Sequence, residues 1–214
     1  FAGEVSSDLK RRLEGIRVKH RVEENSIKMY DKQGSVLRIE TTINNPTRFR
    51  VRRKGMRQGK LVMKWMALRR GIADIRRRAE LSRAANARYL TALSVVGLAT
   101  PSYRLLDRVS QRVKTKRPHR ALRPISPEDA SLFQVILHGE YSLQGFRNRD
   151  LRQALRHDPR NSSARISRFL GLLRAHKLIF KVCKTNYYRI TRKGHQVMAT
   201  ALKFRQPDVV LLAA

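Results

Sequence analysis

Residues 165–197 read RISRFLGLLRAHKLIFKVCKTNYYRITRKGHQV, and the periodicity of this stretch changes part-way through. Ile166, Phe169, Leu170 and Leu173 recur at helical spacing behind Asn161-Ser162-Ser163, whose short polar side chains suit a helix start. Then come a short apolar run, Leu178-Ile179-Phe180-Lys181-Val182, a polar turn at Lys184-Thr185-Asn186, and Tyr187-Tyr188-Arg189-Ile190. The expectation is a helix followed by a hairpin. Upstream, Ser126-Pro127-Glu128-Asp129 supplies a cap, a proline at the first helical position and acids in the first turn, so a helix is predicted to about His138. A short helix is expected over 146–155 between these two.

Helix, helix, helix, hairpin is the order of a winged helix-turn-helix, assigned to residues 126–206 with a tail at 207–214. The run quoted above resembles the MarR-like winged-helix repressors, with a Ser- and Arg-bearing third helix, a leucine-rich end and a basic strand after a polar turn. The resemblance implies a third helix that enters a major groove and presents Arg160, Asn161, Ser163, Arg165 and Arg168 to base edges. Arg pairs bidentately with guanine and Asn with adenine. The wing residues Lys181, Lys184, Asn186, Arg189, Arg192 and Lys193 would then lie along phosphate.

The first seventy residues alternate with the period of β-strands. In Ile16-Arg17-Val18-Lys19-His20-Arg21-Val22, even positions are apolar or His and odd ones cationic up to Arg21. The pattern recurs over 27–30, 37–43, 48–52 and 61–66, so an antiparallel meander of four or five strands is expected, one face buried and the other wet. Asp31-Lys32-Gln33-Gly34 reads as a hairpin loop, and Asn44-Asn45-Pro46 ends a strand. The wet face would carry Arg17, Lys19, Arg21, Lys28, Arg38, Arg48, Arg50, Arg52, Arg53 and Lys54, with Tyr30 among them and mainly Glu40 and Asp31 opposing them. Residues 71–97 shift to a helical stripe of Ile72, Ile75, Ala79, Ala85, Tyr89, Leu93 and Val96, and a second helix is expected over 102–113. KTKRPHRALRP, residues 114–124, reads as a basic linker, its Lys114, Lys116, Arg117, Arg120 and Arg123 tracking phosphate. The domain reading is therefore a gripping domain at 1–113, a linker at 114–125 and the winged helix. The fold class is α+β.

Charge names the partner class. The chain of 214 residues has 48 Lys and Arg against 16 Asp and Glu, a formal net charge of +32. Such an excess opposes compaction unless a polyanion neutralises it, and nucleic acid, whether DNA, RNA or hybrid, is the expected partner. A larger nucleoprotein complex is compatible with this, a membrane is not expected, and no secretory leader is legible. The expected location is the cytoplasm. Residues 126–214 hold 16 cations and 6 acids, leaving 32 and 10 before them, so the main electrostatic anchor lies in the first half. Cys183 is the only cysteine, which removes a Cys-rich zinc site, and the six His lack ligand spacing. No metal, cofactor or catalytic residue is expected.

NSIKMYDKQGSVLRIETTINNP, residues 25–46, together with GFRNRDLR and LLRAHKLI, resembles an uncharacterised family of bacterial proteins over nearly the whole chain, which brings no activity with it. Tyr30-Asp31-Lys32 followed by Leu37-Arg38-Ile39-Glu40 is similar to a strand pair in rolling-circle replication initiators of phages and plasmids. That chemistry needs a nucleophilic tyrosine and paired metal-binding His. Tyr89 is the candidate nucleophile, but His20 stands alone, and both read more simply as core residues. Asp31 and Glu40 read as partners of neighbouring cations rather than as a magnesium site. The leading expectation is a nucleic-acid-binding protein. The alternatives are the binding portion of a mobile-element nuclease, nickase or transposase with its catalytic domain before Phe1, and a structural RNA-binding subunit of a ribonucleoprotein. Replacing Arg48, Arg50 and Arg52 together by Ser is expected to weaken binding more than replacing Arg165 and Arg168 together. Titrations at one fixed salt concentration check this, and equal or reversed losses refute the division into grip and reading.

Overall fold

The computed structural model describes residues 5–12, 15–98, 103–113, 119–156 and 162–205. They form two compact units, Phe1–Tyr89 and Leu90–Ala214, divided within a long helix. The first unit opens with β1 (Val5–Arg12), β2 (Gly15–Val22), β3 (Asn25–Lys32) and β4 (Val36–Thr42), a four-stranded antiparallel meander in chain order. The architecture is α+β, a β-meander followed by helices.

The fourth and fifth expected strands do not join this sheet. β5 (Arg50–Arg57) and β6 (Lys60–Ala67) pair only with each other, as a separate two-stranded ribbon. The cause is at the end of β4. Buried Asn25 donates to the Asn45 carbonyl at 3.1 Å and accepts from the Asn45 amide at 2.9 Å, which folds Asn44-Asn45-Pro46 back over the sheet end. The ribbon turns through Gln58 and Gly59, both with positive φ (49° and 74°), as a two-residue hairpin loop requires.

α1 (Ile75–Leu98), entered through a 3₁₀ turn at Ile72–Asp74, packs by only the later part of the stripe that the apolar spacing predicts. Ile72 and Ile75 are 81% and 60% exposed, whereas Ala85 and Tyr89 are buried. Arg78 and Asn86 complete the contact. Arg78 donates to the Ile43 carbonyl at 2.7 Å, and Asn86 donates to the Ile39 carbonyl at 3.2 Å and accepts from the Thr41 hydroxyl at 2.7 Å. β4 is an edge strand with open carbonyls, and polar helix residues satisfy them where apolar ones would not. Val22, Ile27, Ile43, Phe49, Val51 and Leu68 complete the buried set of this unit.

The second unit contains α2 (Tyr103–Val109), α3 (Pro127–Ile136), α4 (Tyr141–Gln144), α5 (Asn148–Ala154), α6 (Ser163–Ala175), β7 (Ile179–Lys181), β8 (Tyr188–Ile190) and α7 (Arg192–Arg205). Ser126 caps α3 and Ser162 caps α6, each hydroxyl accepting an amide three residues on at 3.2 Å. Phe133, Ile136, Phe146, Leu151, Ile166, Leu170, Leu173, Leu178, Val197 and Met198 form one core. Gly145, at φ 93°, lies so close to β8 that an added Cβ would sit 2.2 Å from the Tyr188 carbonyl, and this approach lets Phe146 pair with Tyr188 through two backbone hydrogen bonds of 3.0 and 2.8 Å. The final helix, α7, has no counterpart in the reading of the sequence, although Thr191 caps it and Val197, Met198 and Ala201 give it a buried stripe.

Two segments grouped with the first half belong to this core. Leu106 and Val109 of α2 are buried in it, and Leu122, from the expected linker, is 1% exposed and hydrogen-bonds to the Val109 carbonyl. Lys114, Lys116 and Arg117, the expected recognition residues Arg160 and Asn161, and the tail at 207–214 lie outside the described residues.

The sheet's apolar face is filled at one end only: Ile27 is fully buried, while Leu37, on the same face, is 51% exposed. Ile27→Ala is expected to cost about 2–5 kcal/mol of stability and Leu37→Ala under about 0.5 kcal/mol. Urea unfolding measures both, and similar losses would contradict the one-ended core.

Candidate nucleic-acid interface

The hydrogen-bond register fixes which side chains share a face. Val18 opposes Met29, which opposes Ile39, so the odd positions of β2 fall together with the even positions of β3 and β4. Lys10, Arg17, Lys19, Arg21, Lys28, Lys32 and Arg38 thereby lie on one face, with Tyr30 in register between Arg17 and Arg38. The sequence placed Asp31 among the opposing acids, but the register puts it on the apolar face, where its carboxylate accepts from Gly34 in the turn. Asp8 takes its place, 3.3 Å from Arg17, and Glu40 pairs with Arg38. Arg21, Lys28, Lys10 and Lys32 make no ion pair among the described residues. Lys10 and Lys32 were missed by the sequence reading, because their strand pairings were needed to assign them a side.

Lys19 directly opposes Lys28 across the ladder. Burial, then the charges of Arg21, Lys28 and Arg17, push the Lys19 pKa below its usual value, with Asp8 pulling the other way. Beside this pair, Arg21, Ser26, Thr42 and Asn44 line a depression of about 340 Å³ together with Glu23 and Glu24. Its cations and donors attract an oxyanion, Glu24 opposes one, and Glu23 is already paired with Arg48.

The ribbon divides its cations differently from the expected tally. Arg50, Arg52 and Lys54 are exposed on one face. Arg48 instead pairs with Glu23, and Arg53 is drawn inward, 3.0 Å from the buried Asp74. Asp74 also accepts from the Arg69 amide at 2.9 Å and from Arg77 at 3.1 Å, and that amide bond, followed by the two guanidinium charges, lowers its pKa despite the opposing effect of burial. Arg53 is therefore a structural residue and not a surface for phosphate.

In the second unit, Ser163 and Arg168 are exposed on α6, while Arg165 is half-buried. Asn148 of α5 donates to the Ser163 carbonyl at 2.9 Å and the Ser167 hydroxyl at 2.8 Å, fixing α5 against the start of α6. Ser167 and Arg174 add to the exposed face of α6 and were not anticipated. Arg165 and Arg168 also border a cleft of about 610 Å³ with Glu128 and Asp129 of α3. Lys181, Lys184 and Asn186 are exposed around the hairpin. Arg189 departs from the expected wing set: its side chain is half-buried, its stem beside Gly145, and burial lowers its pKa. Arg192 and Lys193 begin α7 and are not part of the hairpin. Arg120 is held by Asp129 at 3.1 Å, while the side chain of Arg123 is exposed and its amide bonds the same carboxylate at 2.9 Å.

Tyr89, the candidate nucleophile, is 4% exposed and 2.9 Å from His20, and burial raises its pKa. It acts as a core tyrosine with His20 as its partner. Among the described residues, no group of three His, Cys, Asp or Glu is placed to hold a metal ion, and no helix is long and apolar enough to cross a membrane. No protein-family model, curated protein or solved structure matches the chain.

Like charges directly opposite in a sheet are destabilising. Lys19→Met is therefore expected to stabilise the free protein by on the order of 0.5 kcal/mol while lowering the salt concentration that elutes it from heparin. Thermal unfolding at low ionic strength and the elution profile check the two signs, and a loss of stability contradicts the repulsion.

Proposed function

We propose that this chain is a nucleic-acid-binding protein that grips phosphate with the basic face of its meander and adds recognition through a winged helix in its second unit. The observation that carries the proposal is the register of β1 to β4, which gathers seven named cations on one sheet face against Asp8 and Glu40. An ordinary solvated face mixes signs, whereas a concentrated positive face is the footprint of a phosphate backbone. Tyr30 adds a ring able to stack on an unpaired base.

The winged-helix reading is supported by the order of α3, α5, α6 and the β7–β8 hairpin, and by the Phe146–Tyr188 bridge that adds a third short pairing to the hairpin. α6 is the recognition helix, entering a groove with Ser163, Ser167 and Arg168. Lys181, Lys184 and Asn186 flank it on phosphate. Arg165, half-buried beside α3, positions the helix more than it reads bases. This division agrees with the excess of charge before residue 126.

The nucleic acid retained by the full chain on purification, tested for loss on DNase or RNase treatment, identifies the class. On DNA, the salt dependence of affinity should fall by about 0.9 in log–log slope for each phosphate contact removed. Arg21→Ser with Lys28→Ser is accordingly expected to reduce the slope by about 2 and leave selected sequences unchanged. Ser167→Ala with Arg168→Ser is expected to change the selected sequences with a slope loss of about 1 or less. An unchanged slope in the first variant overturns the grip, and an unchanged selection in the second overturns the reading helix.

A further inference from the structure

The β5–β6 ribbon has two unlike faces. On one, Val51 is buried at the base, Arg53 reaches Asp74, and Lys64 lies over Gly55 so that its ammonium bonds the Met56 carbonyl at 2.8 Å. Gly55 leaves the room that the Lys64 side chain fills: an added Cβ would sit 2.5 Å from it, and the lysine would have to shift. That face is closed by its own contacts.

The opposite face is open. Arg52 opposes Trp65, Lys54 opposes Met63, and Met56 opposes Leu61 beside the turn. Met56, Leu61 and Met63 are 60%, 62% and 51% exposed, which makes an apolar cluster at the tip of a projecting element. Every charged residue from 50 to 67 is Lys or Arg; Arg52 and Lys54 share the open face, while Arg57 and Lys60 flank the turn from the other face. The base of the ribbon is held by Phe49, Val51 and Leu68, and Leu68 donates to the Phe49 carbonyl at 2.9 Å. At roughly 3.3 Å per residue the strands reach some 25 Å from base to tip.

We infer that this ribbon is a DNA wedge: Met56, Leu61 and Met63 enter a base step of duplex DNA while Arg52, Lys54, Arg57 and Lys60 hold the flanking phosphates. The inference rests on the nucleic-acid reading above and adds to it a site and a deformation. Apolar side chains that enter DNA from a groove unstack a step and kink the duplex, and unbranched Met and Leu adapt to the gap. The ring of cations complements phosphate. Apolar wedging of this kind acts on B-form DNA from the minor groove and kinks it toward the major groove, so the occupant is DNA. The tight Gln58-Gly59 turn suits this use, since it ends the ribbon without a bulky loop.

The experiment compares affinity of the full-length chain for a perfect DNA duplex and for the same duplex with a two-nucleotide bulge, where the unstacking is already done. Unstacking costs a few kcal/mol per step, so the wild type is expected to prefer the bulged duplex by about tenfold or more. A 2-aminopurine beside the bulge should brighten on binding. Met56→Ser, Leu61→Ser and Met63→Ser combined should abolish both effects while binding the perfect duplex within about threefold of wild type, because the cations of the grip are intact. All three positions are more than half exposed, and an unchanged circular dichroism spectrum verifies the fold. Tight binding by the wild type without bulge preference overturns the wedge and leaves the grip standing. Preference retained by the triple variant also overturns it, as does a bulge preference confined to RNA. Failure of the wild type to bind any duplex or single strand overturns the nucleic-acid reading itself.

Discussion

Two buried carboxylates hold the described chain in place, and they do so in the same way. Asp74 joins the ribbon, the turn before α1 and α1 itself by accepting from Arg53, the Arg69 amide and Arg77. Asp129 ties the approach to α3 by accepting from Arg120 and the Arg123 amide, while its own backbone amide donates to the capping Ser126 hydroxyl. With 48 cations against 16 acids, each carboxylate has several possible partners. Asp74 and Asp129 each meet guanidinium and amide donors together, which offsets the cost of burying a carboxylate.

That pairing explains what could be read from the sequence and what could not. Period-two alternation put Arg17, Lys19, Arg21, Lys28 and Arg38 on a common face, and the ladder agrees, because strand pleating is a local property. The caps at Ser126 and Ser162 were legible for the same reason. Arg53 and Arg120 looked like their neighbours in sequence, and only a partner 21 or 9 residues away distinguishes them. The exclusion of the ribbon from the meander depended on the Asn25–Asn45 pair, which is likewise nonlocal. α7 was different: its signals, Thr191 and the spacing of Val197, Met198 and Ala201, were present in the sequence but unused, and only its first residues, Arg192 and Lys193, were assigned, to the wing.

The two units also differ in how their interiors are built. The second has one contiguous core in which helices, hairpin and the segment around Leu122 all take part. The first has a sheet filled at one end, a helix that docks partly through Arg78 and Asn86, and a ribbon anchored at its base. A scaffold of that kind presents a large surface for its size. Surface, more than core, is what a phosphate-gripping element needs.

The opposition of Lys19 and Lys28 links that surface to stability. Backbone pairing sets the two ammonium groups across from one another, with Asp8 opposite Lys19 and Glu40 opposite Lys28 on their far sides. Burial and the neighbouring charges lower the Lys19 pKa, so the free protein holds this proton less tightly than an isolated lysine would. An oxyanion entering the depression beside them would add to the negative charge of Asp8 and Glu40 and raise the proton's affinity. Any ligand that binds only the folded chain stabilises it by mass action. On the proposed reading, the polyanion is therefore both the partner of this face and an added countercharge to it, beside Asp8 and Glu40.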